Sequence, residues 1–189
     1  MSKIVTRYSL EMLETIISSK TRIKLLLKFF INSENEDYLR GLESEFGDST
    51  NAIRLELNRL EDAGLLSAHF QGNRKLFKAN PVHPIYNEVV SLVRKYVGLD
   101  RVVEEVISKI GELQCVYLTG KLAKGISSKV MDLLFVGDLD ENYLVSLVKK
   151  AEKAIDKKIR YTICSPEEHK EIIKELVRDN ALLVWGKGI

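Results

Sequence analysis

Thr50, Asn51, Arg54 and Asn58 recur at spacings that gather them on one side of a helix, with Ser49 just ahead of them. Ile53, Leu57 and Leu60, at i, i+4 and i+7, mark an apolar stripe on the other side. Arg can fork onto the edge of guanine and Asn onto adenine, so a polar face near a helix N-terminus suits base edges and phosphates. A second polar group follows closely: Asn73, Arg74, Lys75 and Lys78 cluster about one turn, where they can reach phosphates or a neighbouring groove.

Elements that can present these groups are legible around them. Asp48 or Ser49 is placed as an N-cap, its side-chain oxygen accepting from first-turn N–H groups. Ala63-Gly64 ends the helix. Two strand-like runs, Leu65 to Phe70 and Lys75 to Ala79, then bracket Gln71-Gly72-Asn73-Arg74, where Gly and Asn tolerate a positive φ. Upstream, helical periodicity covers Tyr8 to Ile17 and Ser19 to Ile31, the second capped by Ser18 or Ser19 and apolar enough to sit centrally in a core. Lys20 and Arg22 at its start would add charge toward a phosphate backbone. Asn32 to Asp37 reads as a turn, and Tyr38 to Phe46 as a short helix stopped at Gly47. Short helix, tight turn, polar-faced helix and basic hairpin together make a winged helix-turn-helix.

Beyond it, Asn80 to Pro84 forms a stiff junction in which His83 is structural. A helix over Ile85 to Val97 carries the stripe Val89, Leu92, Val93 and Tyr96. After Gly98 the pattern alternates. A helix over Asp100 to Ile110 leads to strand-like runs at Gln114 to Leu118, Val130 to Val136, Lys158 to Cys164 and Ala181 to Trp185. Helices are expected over Glu141 to Ile155 and Pro166 to Val177. This implies a sheet with helices on it.

Composition limits the options. The chain has 189 residues, 45% hydrophobic, and a net charge of +2, so any nucleic-acid footprint must be local clustering rather than bulk basicity. Cys115 and Cys164 each stand alone in an apolar run, which points to buried reduced thiols and a cytoplasmic setting. No segment approaches the ~20 apolar residues of a membrane span.

Residues 20–97 resemble the ArsR-like winged-helix transcription regulators, through STNAIRLELNRLEDAGLL, the wing GNRKLFKANP and the helix HPIYNEVVSLVRKYVG. Residues 113–164 look like the minimal nucleotidyltransferase domain often fused behind such a winged helix, through LTGKLAKG followed by VMDLLFVGDLD. That second resemblance implies a strand ending in Gly-Ser, a short helix, and a strand with two alternating acids. Nucleotidyl transfer needs two or three carboxylates converging on divalent metal ions. Here Asp132 holds the second acidic position, but Val130 stands at the first, Gly120-Lys121 replaces Gly-Ser, and Ile159 to Ile163 offers no acid. Asp138 and Asp140 are placed to cap the next helix. Gly120, Lys121, Lys124 and Asp132, with Lys129 nearby, outline a loop suited to a small anionic ligand that does not react.

The expectation is therefore an α+β protein: a winged helix-turn-helix over 1–97 and a degenerate nucleotidyltransferase-like α/β domain over 98–189. Its function would be sequence-specific recognition of double-stranded DNA as a homodimeric transcription regulator, with no catalysis, cofactor or metal. Metal-sensing ArsR proteins carry Cys or His clusters on this helix, and none lies between Ser49 and Leu66. Two alternatives stand: an active nucleotidyltransferase with an unusual metal site at Asp132, and a protein-interaction adaptor whose winged helix no longer touches DNA.

Overall fold

The computed structural model describes residues 13–186. Residues 13–16 are helical, and the rest of the helix expected over Tyr8 to Ile17 lies largely outside that range. Helix α1 (Lys20–Phe30) is capped by Ser19, whose hydroxyl accepts from Arg22 N, and every residue from Leu25 to Phe30 is buried. Its second half, closed off from water on every side, therefore lies inside the fold. It packs on α3 (Thr50–Asp62), α4 (Tyr86–Val97) and strand β3 (Arg74–Ala79).

Between α1 and α3 come β1 (Glu36–Tyr38) and α2 (Leu39–Phe46), the latter closed by Gly47 at φ 67°. Strand β1 corrects the expected turn at Asn32 to Asp37 and moves Tyr38 out of the helix. Two acids in a three-residue strand leave no apolar alternation to detect. Asp37 is held there because Lys28, buried in α1, needs anions and finds Asp37 at 3.2 Å and Glu45 at 2.7 Å. Strands β2 (Leu66–Gln71) and β3 form the wing, with Gly72 at φ 60° as first residue of the two-residue turn. The first sheet is antiparallel in the order β1-β3-β2.

Gly98 ends α4 and starts α5 (Leu99–Glu105), which a 3-10 turn at Ile107–Lys109 follows in place of one long helix. The second sheet comprises β4 (Leu113–Thr119), β5 (Val130–Gly137), β6 (Lys158–Cys164) and β7 (Leu182–Gly186), in the order β6-β5-β4-β7. Only β5 and β6 are parallel, joined through α7 (Glu141–Ile155). A four-residue helix α6 (Gly120–Ala123) links β4 to β5, and α8 (Pro166–Arg178) precedes β7. Alternation along the strands gives this sheet two buried faces. Val116, Leu118, Leu133 and Phe135 join the cluster containing α1, whereas Cys115, Tyr117, Leu134, Val136 and Cys164 pack beneath Ile172, Ile173 and Leu176 of α8. The fold is α+β, a winged helix followed by a small α/β domain.

One cluster of buried side chains runs from Leu25 to Ile159, so the two halves share a core. Polar contacts fix their join. Asn35 donates to Lys28 O at 3.0 Å and to Ala123 O at 3.1 Å, and Asn32 donates to Asn180 O at 3.0 Å. A Cβ at Gly125 would lie 2.4 Å from Lys28 Cα. Asn35→Ala should orphan two buried carbonyls and lower stability by roughly 1–3 kcal/mol, read from urea unfolding of the whole chain.

On the inner side of α8, His169 is 3% exposed, and its Nε2 lies 3.1 Å from the Tyr117 hydroxyl. Burial pushes the His169 imidazole below its usual 6.5 and the Tyr117 phenol up to about 12. With the folded pKa of His169 lowered, protons favour the unfolded chain; its stability contribution is full above about pH 6.5 and declines below it. The melting temperature should therefore drop from pH 7.5 to 5.5 by an amount that His169→Gln reduces.

Candidate nucleic-acid interface

Helix α3 begins at Ser49, whose hydroxyl accepts from Ala52 N at 3.2 Å. That hydroxyl therefore serves the helix, because first-turn N–H groups lack partners. Ile53, Leu57 and Leu60 are buried. Among the four side chains expected outside, Thr50 is half-buried and donates to Glu43 Oε1 of α2 at 2.5 Å, which fastens the two helices of the motif together. Asn51, Arg54 and Asn58 are exposed, and Arg54 Nη2 donates to Asn51 Oδ1 at 2.8 Å. Leu55, unnoticed in the sequence, is exposed on the same side. An apolar group there suits a thymine methyl.

Two carboxylates fasten α3 to α1. Asp48, just ahead of the helix, accepts from Lys24 Nζ at 2.7 Å and from Thr21 Oγ1 at 2.9 Å; the Lys24 contact above all holds its carboxyl below the usual range. Glu56 is 5% exposed and meets Arg22 Nε at 2.8 Å and Arg59 Nη1 at 3.1 Å. Burial pushes the Glu56 pKa up, but these cations and Ser19 outweigh it and hold it below its usual value. Arg22, expected to face a phosphate backbone, is thus turned inward to pair with an acid that water barely reaches. Lys20 remains exposed.

Between α3 and the wing lies a cleft of about 620 Å³, with Arg40, Arg54, Asn58, Asn73, Arg74 and Lys75 among its lining. The guanidinium of Arg74 sits 4.7 Å from the centre of the Tyr38 ring, a cation–π contact that orients it. Lys75 is paired with Glu61 at 2.6 Å. Arg40, at the start of α2, was not singled out in the sequence, because only the fold turns that end of α2 into the cleft. Cations and amides gathered on one concave side can bind phosphates and read base edges together.

The second expected group takes a different form. Asp132 on β5 is in register with Arg160 on β6, and Arg160 Nε donates to Asp132 Oδ1 at 2.5 Å. The structure does bring Gly120 against Asp132, since a Cβ at Gly120 would lie 2.5 Å from Oδ2. Lys121, Lys124 and Lys129 are exposed. Asp140 caps α7, accepting from Tyr143 N at 3.0 Å. No group of three His, Cys, Asp or Glu able to hold a metal occurs among the described residues. Cys115 and Cys164 are free and buried, and burial pushes both thiols up. No helix among the described residues is long and apolar enough to cross a membrane.

No family model matches this sequence, and no curated protein matches it. Solved structures similar to part of the chain include reduced HlyU from Vibrio cholerae, at 17% identity and a TM-score of 0.36, covering 49% of this chain and 86% of that one. A toxin–antitoxin structure with AMP-PNP shares 18% identity at a TM-score of 0.37, over 47% of this chain and 73% of that one. A tri-AMPylated Shewanella oneidensis HEPN toxin in complex with MNT antitoxin shares 18% at 0.35, over 48% and 71%. Likenesses this loose, each over about half the chain, say nothing of activity.

Glu56→Gln keeps the shape of the side chain and removes its charge. It should cost roughly 1–3 kcal/mol in urea unfolding at neutral pH. Because the folded pKa of Glu56 is lowered, its contribution is present above about pH 4.5 and lost as pH falls through the folded value, so the variant should lack that part of the acid loss.

Proposed function

We propose that this protein is a sequence-specific, double-stranded DNA-binding transcription regulator of the ArsR-like winged-helix kind, working as a cytoplasmic homodimer. The observation that carries this reading is the cleft itself. Exposed Arg54 and Asn58 on α3 stand opposite Asn73 and Arg74 on the wing, with Arg40 beside them. In this reading Asn51, Arg54, Leu55 and Asn58 face the major groove, while Arg40 and Arg74 grip phosphates. A dimer follows from the need to span two half-sites. The C-terminal half supports the winged helix through the shared core and is catalytically silent. The Asp132–Arg160 ion pair favours silence, since a carboxylate already neutralised by a guanidinium is a poor metal ligand.

Selection of bound genomic fragments by the full chain, followed by sequencing, should return one recurring site. Against that site, Arg54→Ala should lose about 1–3 kcal/mol of discrimination between specific and random DNA. Arg40→Ala and Arg74→Ala should weaken both alike, each reducing the slope of log affinity against log salt by about 0.9. Equal losses on specific and random DNA for all three variants would contradict the assignment of Arg54 to the bases. Nucleotidyl transfer that Asp132→Ala abolishes would contradict the silent C-terminal half.

A further inference from the structure

The wing carries two adjacent cations that the structure treats in opposite ways. Successive side chains along a strand point to opposite faces. Lys75 shares a face with Phe77, which is buried, and its Nζ lies 5.0 Å from the centre of the Phe77 ring and 2.6 Å from Glu61 Oε2 near the C-terminal end of α3. Arg74 projects from the other face and stacks on Tyr38. One wing cation is thus held directly by a carboxylate of α3, while its neighbour leans on an uncharged ring.

We propose that Glu61 sets the strength of DNA binding: by holding Lys75 against α3, it withholds one positive charge from the DNA backbone. Sequence-independent affinity comes almost wholly from neutralised phosphates, each adding about 0.9 to the salt slope, whereas discrimination comes from base contacts. Withholding a phosphate contact weakens specific and random binding alike, so the pair lowers overall affinity and salt dependence and leaves their ratio to Arg54 and Asn58 on the bases. This proposal rests on the DNA-binding reading above.

The test uses the full chain, a random-sequence duplex and the selected genomic site, with affinities measured across a salt series. Glu61 and Lys75 side chains are 30% and 39% exposed, so Glu61→Gln, Lys75→Gln and the double variant should all fold, which thermal melts verify. Glu61→Gln should bind both duplexes several-fold more tightly at low salt, with a slope steeper by about 0.9 on each and an unchanged specificity ratio. Lys75→Gln should keep the slope of the unaltered protein, and the double variant should return to it. If Lys75→Gln alone flattens the slope by that amount, Lys75 already touches the backbone and the proposal falls. If the effect of Glu61→Gln persists without Lys75, Glu61 acts by repelling DNA directly and the proposal also falls. An unaltered protein that binds no DNA overturns the regulator reading and this proposal together. One that binds DNA but shows no shift with Glu61→Gln overturns this proposal alone.

Discussion

Glu56 lies on the inner side of the helix that carries Arg54 and Asn58, and a carboxylate so far from water must be paired. Its partners are Arg22 on α1 and Arg59 on α3 itself. Together with Asp48, held by Lys24 and Thr21 at the other end, this pairing sets the rotation of α3 about its own axis. Rotation decides which residues face outward. Apolar burial of Ile53, Leu57 and Leu60 would tolerate some slippage, whereas a salt bridge of 2.8 Å with directional hydrogen bonds does not. The exposed polar face, and the cleft it forms with the wing, depend on that registration.

Local chemistry made a large part of the fold legible. Helix α7 and strand β6 fall where periodicity placed them, from Glu141 to Ile155 and from Lys158 to Cys164, because strong caps or alternating apolar residues bound them. Gly47, Gly72 and Ser49 each mark a boundary for a reason readable in one residue: positive φ for the glycines, a hydroxyl acceptor for the serine. What escaped the sequence were long-range pairings. Strand β1 exists because β3 offers it a partner and Lys28 requires Asp37, and neither fact is local.

The candidate site shows the same division. Arg54, Asn58 and Arg74 reach the cleft as the spacing suggests, since a helix face and a hairpin tip are local geometry. Thr50, Arg22 and Lys75 are engaged by Glu43, Glu56 and Glu61, partners 7, 34 and 14 positions away. Hydrogen-bonding type alone cannot tell a side chain that holds the fold from one that faces a ligand. Arg40 enters the site only through the crossing of α2 and the wing. In the second half, Asp132 meets Arg160 because β5 and β6 are parallel and in register, a relation set by the intervening α7.

The central claim is that the exposed side of α3 and the wing tip lie against DNA. Photocrosslinking addresses it most directly, with a photoreactive residue placed singly at positions 58, 73 and 171 of the full chain and a radiolabelled duplex of the selected site. The account predicts crosslinks from 58 and 73 and none from 171, on the remote helix α8. Crosslinks from 171 alone, or equal labelling at all three positions, would contradict it.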